Sequence, residues 1–422
     1  MNRTISKNRH HIRIPKAKTM FHYLLIYLML LDQDSCFYYL HQELIRYIVI
    51  GICVGLILLK RVKPDHNLFS LLMLLGIIEI FTFITSILNN AGTGTYLMMS
   101  ISEQLLLAYC TYAYSEKDFV SRYVRVVTFF ATISLVMYSI GLIAPDFLLS
   151  SLPSYDVGWR YKYNGILFYT ARMREMGRNT GIFREPGLYT IVLNSAIFMC
   201  LFLKRYISYN IGVVIVVLIA CLVTTGSATG YIGLIGIVAA YFLVKTDKEG
   251  KKWKRNIRYV ILGILMIIII DYYTRGTSSF LQTYFIEKVS TMNDFTSIST
   301  GSVRLGTIIL CLTSIVKYPF GIGAINAMKY LSGFGSVGGY EITGARILIT
   351  TLGIGIIPVT VALIYLFREG YLKHKSVLTL ILLIFLYFNT ALAQSREFYP
   401  ALIVLFFIDA GLQKNQRISK RK

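Results

Sequence analysis

The chain has 422 residues, 55% of them hydrophobic and only 15% charged, with a mean hydropathy of +0.60. That excludes a soluble globule, in which about a quarter of residues carry charge. The formal charge is +22, yet the placement of the basic residues assigns most of it to membrane topology and none to nucleic acid.

Apolar runs long enough to cross a bilayer, which takes about 20 residues, recur along the whole length. In chain order the clearest are Leu68–Leu88, Val124–Ala144, Gly226–Val244, Ile257–Tyr273 and Val377–Ala393. A first, shorter run at Met20–Leu31 is followed at once by Asp32. The expected fold is all-α: one polytopic integral membrane domain over residues 1–422, with about twelve transmembrane helices at the usual length per crossing. Basic residues gather in Met1–Thr19, Lys60–Lys63, Lys117–Arg125, Lys204–Arg205, Lys245–Arg258, Arg368–Lys375 and Lys414–Lys422. These segments fall at every second loop, so the positive-inside rule puts them and both termini in the cytoplasm. The loops at 32–43, 89–94 and 224–229 hold no Lys or Arg. Cys36, Cys53, Cys110, Cys200, Cys221 and Cys311 are scattered singly and the six histidines do not cluster. Neither a disulfide framework nor a metal site is expected, and no cofactor.

Two long outer loops are expected, at 145–186 and 274–340. The first holds Arg160, Lys162, Arg172, Arg174, Arg178 and Arg184, although cations are normally scarce on that side. Arginine presents a planar fork that grips phosphate oxygens in pairs and never loses its charge. Such a loop beside a bilayer suits a lipid-linked diphosphate. Its last residues read Arg178-Asn-Thr-Gly-Ile-Phe-Arg-Glu-Pro-Gly187. Pro186 after Glu185 fits a helix start, where a carboxylate complements the helix dipole. The second loop holds Arg304, an apolar segment to Val316 too short for a comfortable span, and then Tyr318-Pro-Phe-Gly-Ile-Gly323. The segment is expected to lie along the membrane interface, and the glycines are expected to serve close backbone approach, movement or plain loop turns. Glu79 and Glu103 lie within apolar runs, where a charge must be neutral or paired; the readings open to each are proton coupling, a helix-packing hydrogen bond, or a pair with Arg46 or Arg125.

The order and spacing of three segments resemble the bacterial O-antigen and capsular repeat-unit polymerases and the related O-antigen ligases. They are Arg178–Pro186 leading into a span, the turn Thr224-Thr-Gly-Ser-Ala-Thr-Gly230, and Ser302-Val-Arg304 followed by Pro319-Phe-Gly-Ile-Gly323. The likeness covers roughly residues 170 to 400. The ligase branch carries a histidine near the end of the second loop, whereas Ser336-Val-Gly-Gly-Tyr-Glu-Ile342 has none; the resemblance therefore favours the polymerases.

The resemblance implies a glycosyltransferase of the bacterial cytoplasmic membrane. It would transfer a growing glycan from polyprenyl diphosphate to a lipid-linked acceptor repeat unit on the outer face, in O-antigen, capsule or exopolysaccharide assembly. Arg174, Arg178, Arg184 and Arg304 would bind the diphosphate, with Arg184 and Arg304 stabilising its departure. Glu341 would take the acceptor's proton, and Glu185 and Pro186 would be structural or catalytic. A chain-length regulator and a repeat-unit exporter are the partners such systems use. Two alternatives stay open. Asp32-Gln-Asp34 matches the acidic pair of polyprenyl-phosphate-sugar monosaccharide transferases, or simply marks the end of a span. A lipid-linked glycan exporter is the other, although the halves show no internal repeat.

Overall fold

The computed structural model describes residues 17–59, 61–62, 66–89, 95–115, 118–156, 162–172, 177–243, 311–333, 345–369 and 396–405. They are mostly helical. The helices in the first part are α1 (Ala17–Asp32), α2 (Cys36–Leu40), α3 (Gln42–Leu58), α4 (His66–Leu88), α5 (Thr95–Ser115), α6 (Phe119–Ile143) and α7 (Pro145–Ser151). Three strands follow, β1 (Ser154–Asp156), β2 (Lys162–Ile166) and β3 (Tyr169–Arg172), and then α8 (Pro186–Phe202), α9 (Ile211–Thr224) and α10 (Ala228–Leu243). Further on lie α11 (Ala324–Gly333), α12 (Ala345–Leu352) and α13 (Ile356–Glu369).

Among the described residues, three helical stretches are long and apolar enough to cross a membrane: Leu68–Leu88, Phe119–Ile143 and Ile347–Tyr365. In the first two only 33% and 28% of the apolar window is buried, so residues such as Ile80, Phe83, Phe129 and Val136 face outward. Apolar surface on that scale is compatible with a membrane protein, whose outer helix faces meet lipid. Helix α8 is the opposite case. Its residues Pro186 to Leu201 are all buried, because a helix apolar on every side sits inside a bundle. It packs against α6, α9 and α10, while α1 packs against α5 and α6, and α3 against α5.

The predicted spans at Leu68–Leu88, Val124–Ala144 and Gly226–Val244 coincide with α4, α6 and α10. Those at Ile257–Tyr273 and Val377–Ala393 lie outside the described residues, as does much of the loop at 274–340. The segment at 145–186 departs from an all-α expectation. It contains α7 and a three-stranded antiparallel sheet in the order β1-β2-β3, with Tyr155 opposite Tyr163 and Ile166 opposite Tyr169. Tyr169 and Ala171 of the sheet pack with Leu148 and Leu152 in a small core of their own against Met137 and Ile140 of α6.

The Pro319-Phe-Gly-Ile-Gly323 turn docks backbone to backbone on the junction of α12 and α13. Ile322 N–H donates to Thr350 O at 3.2 Å, and Ile354 N–H to Pro319 O at 2.7 Å. Gly321 has φ +76°, and a Cβ there would lie 2.0 Å from the Thr351 carbonyl oxygen. Of the expected uses, this glycine serves close approach. The apolar segment preceding the turn is helical at 311–317.

Candidate functional site

The Arg178–Gly187 segment folds as a clasp among α6, α9 and the start of α8. Asn179 sits at its centre. Its Nδ2 donates to Ser134 Oγ of α6 at 3.2 Å and to Thr224 Oγ1 of α9 at 3.1 Å, while its Oδ1 accepts from Gly181 N–H at 3.0 Å. Arg178 donates from Nε to Thr225 O at 3.0 Å and from a terminal nitrogen to Gly226 O at 3.1 Å. The carbonyls left over at the end of α9 thus find a cationic partner. Thr180 Oγ1 donates to Thr170 O at 2.7 Å, and Thr170 N–H donates to Gly181 O at 2.7 Å, which stitches the clasp to β3. Gly181 has φ +59°, and a Cβ on it would lie 2.7 Å from the Tyr189 ring.

The clasp closes on the loop after α1. Cys36 N–H donates to Ile182 O at 3.1 Å, Arg184 N–H donates to Asp34 O at 3.2 Å, and Ser35 bridges Phe183 in antiparallel fashion. The Arg184 guanidinium lies 3.3 Å from Asp34 Oδ2 and 4.3 Å over the Tyr39 ring, with 13% of its side chain exposed. Asp34 holds φ +55°, a left-handed conformation that Asp tolerates better than most residues. Glu185 is the residue before α8, with Pro186 in its first turn. Leu188 N–H donates to Glu185 O at 3.2 Å, while its side chain makes no capping hydrogen bond. Glu185 therefore starts the helix through its backbone.

Beneath Asp34 the charges become fully buried. Asp32 Oδ1 lies 3.2 Å from Arg396, which also contacts Glu103 Oε2 at 3.3 Å and donates to Ser100 Oγ at 2.7 Å. Glu103 Oε2 further accepts from the Tyr38 hydroxyl at 2.7 Å and from Arg46 Nε at 3.4 Å. Glu397 accepts from Ser100 at 2.8 Å and from Gln104 at 3.0 Å. Ser100, Glu103 and Gln104 lie three and four residues apart and share one face of α5. Arg396 also lies 4.8 Å over the Tyr38 ring. Burial raises the Tyr38 phenol well above its ordinary range, although Arg396 opposes the shift; the group stays protonated and donates. Four carboxylates (Asp32, Asp34, Glu103, Glu397) thus meet three guanidiniums (Arg46, Arg184, Arg396). Buried charges persist when paired and hydrogen-bonded in this way.

The site is recessed. Asn179 and Tyr189 both reach Ser134 of α6, and from Ser134 to Ile143 the helix runs on for about 13 Å. Helix α1 runs alongside α6 in the same direction, with His22 beside Arg122 and Tyr27 stacked on Phe130, and it ends at Asp32 five residues on. The charged turn after α1 therefore lies about 12 Å short of the end of a helix long and apolar enough to span a membrane.

Of the residues expected to act, Arg184 stands at the top of this network, with Glu185 and Pro186 beside it. Arg178 is also near, with its fork on backbone carbonyls. Arg174, Arg304 and Glu341 lie outside the described residues. Asp32 and Asp34 do more than mark the end of a span, since each holds an arginine. Glu103 pairs with Arg46, one of its two expected partners, and Glu79 accepts from Ser102 at 3.3 Å. Sequence reasoning missed Arg396 and Glu397. A signal was present: Arg184-Glu185-Pro186 and Arg396-Glu397-Phe-Tyr-Pro400 both place an Arg-Glu pair just before a proline that opens an apolar helix. No known family model, curated protein or solved structure matches this chain.

Proposed function

We propose that this chain is a membrane glycosyltransferase that polymerises lipid-linked oligosaccharide repeat units at the outer face of a bacterial cytoplasmic membrane. The observation that carries the proposal is the recessed network. A site buried beside a membrane-spanning helix suits a substrate whose leaving group is tethered in the bilayer, and charges at such depth are characteristically functional. The order of the Arg178–Pro186, Thr224–Gly230 and Pro319–Gly323 segments supports the same reading, as does their resemblance to the polymerases.

In the proposed reaction an acceptor sugar hydroxyl attacks the anomeric carbon of the donor glycan. The bond from that carbon to the diphosphate oxygen breaks, and the polyprenyl diphosphate departs with the electron pair. Negative charge builds on the leaving oxygen, and preorganised guanidinium groups stabilise it best where water is scarce. Arg184 takes this role, steadied by Asp34 and the Tyr39 ring, with Arg174 and Arg304 as further diphosphate ligands. Arg178 is a positioning residue that ties the clasp to the turn after α9. The acceptor proton goes to Glu341 or to Asp34, the carboxylate beside Arg184.

Reconstitution in liposomes with polyprenyl-diphosphate-linked repeat units tests the proposal, with products sized by mass spectrometry. The expected result is a ladder of lengthening glycans, reduced roughly 100-fold or more by Arg184→Ala. Arg184→Lys keeps the charge and loses the fork, so full activity in that variant would rule out paired phosphate binding. Growth by a single sugar would instead identify a monosaccharide transferase using the Asp32 and Asp34 pair. Movement of intact units between leaflets would identify an exporter.

A further inference from the structure

The hairpin formed by β2 and β3 has an unusual tip. Ile166, Leu167 and Phe168 are three consecutive apolar residues at a tight turn, a place where Asn, Asp and Gly are the rule. They are 43%, 39% and 45% exposed. The hairpin does not stand away from the helices. Tyr169 and Ala171 pack with Met137 and Ile140 of α6, and at the tip the Phe168 ring stacks on Phe130 at 6.2 Å. From Phe130 to Ile143 the helix axis runs about 20 Å, so the tip reaches close to the middle of α6. Tyr27 of α1 stacks on the same Phe130 ring at 5.5 Å. The neighbouring Phe129, 56% exposed, looks outward from α6 at this level.

We propose that the β2–β3 hairpin is inserted in the bilayer, with Ile166, Leu167 and Phe168 among the lipid acyl chains alongside the outward face of α6. Two further observations carry this occupant. Hydrocarbon requires that backbone polar groups find partners within the protein. The Leu167 carbonyl lies at the turn, beyond the paired residues of the two strands, and the Tyr27 hydroxyl donates to it at 2.8 Å. The polar side chains nearest the tip are also turned into the protein: Thr170 and Asn164 are buried, and Asn164 Nδ2 donates to Leu149 O at 2.9 Å and to Leu152 O at 3.2 Å. The inference depends on α6 crossing the membrane and is independent of any enzymatic activity. Because β3 is stitched to the Arg178–Gly187 clasp, it also makes the wall of the recessed site a part of the protein that lipid touches.

Site-directed spin labelling of the full chain in phosphatidylcholine and phosphatidylglycerol nanodiscs tests this. Leu167→Cys and, independently, Ile166→Cys are labelled with a nitroxide, and the unsubstituted chain sets the background, since all six native cysteines are buried. Phe129→Cys on the outward face of α6 is the lipid reference, and Ser150→Cys on α7 the reference for the helix-end region. The expected result is that both hairpin labels collide with oxygen several-fold more than with a nickel chelate, as Phe129→Cys does. Collision with the chelate at the level of Ser150→Cys overturns the proposal. Spin–spin broadening that disappears on dilution with unlabelled protein also overturns it, because a second copy of the chain would then cover the tip.

Discussion

Arg396 and Arg184 each hold one aspartate of the Asp32-Gln-Asp34 turn, but their surroundings separate their roles. Arg396 is 5% exposed and joins Asp32, Glu103 and Ser100, so Arg396→Ala takes the cation from buried Asp32 and leaves Glu103 with Arg46 alone. A loss of about 3–5 kcal/mol is expected, measured as a lower midpoint in denaturant titration of the purified protein and a smaller folded yield. Arg184 is more open, and Arg184→Ala is expected to lose activity while costing much less stability. Asp34→Asn compared with Glu341→Gln then identifies the base: the variant of the true base abolishes chain growth and leaves donor binding intact. The sequence required Glu103 to find a partner and offered Arg46. It did not offer Arg396, which is 293 positions away from Glu103, because nothing in a span's hydropathy reports which distant loop folds onto it.

Among the elements, two glycines bear the closest approaches and make the sharpest predictions. Gly181→Ala would force a side chain into a left-handed turn and against the Tyr189 ring, costing about 1–3 kcal/mol or more. Gly321→Ala would drive a Cβ into the Thr351 carbonyl, and since the obstacle is backbone the effect should be at least as large. Thermal unfolding in detergent, read for both variants beside an alanine substitution at the open Gly51, checks both expectations. Asn179→Ala removes one of the bridges between α6 and α9 and takes the acceptor from the buried Gly181 N–H, for a further loss of about 1–3 kcal/mol. The position of α8 was legible beforehand, from Pro186 and the apolar run behind it. The sheet at 154–172 was not: its strands are short, and its register is fixed by packing on α6 and α7, which local propensity does not encode.

For the molecule as a whole, the buried cysteines allow a direct test of topology. The Cys36 thiol, pushed up to about 11 by burial, and its five buried counterparts should resist maleimide in intact membranes. A cysteine introduced at Ser150 should react with an impermeant maleimide added from outside, and one introduced at Lys204 only after permeabilisation. The reverse pattern would invert the orientation expected from the basic loops and overturn the proposed placing of the site at the outer face. The sequence by itself determined that the chain is helical and apolar enough for a membrane, and where α4, α6, α8 and α10 lie, because burying a backbone in lipid demands long apolar helices whose composition is local. It also marked the Arg178–Pro186 segment as the place to look. Only the tertiary structure decided which charges meet there. The pairing of Asp32 with Arg396, of Asp34 with Arg184 and of Glu103 with Arg46 depends on how the helices pack in space, and a buried charge takes its partner from whatever that packing brings within a few ångströms.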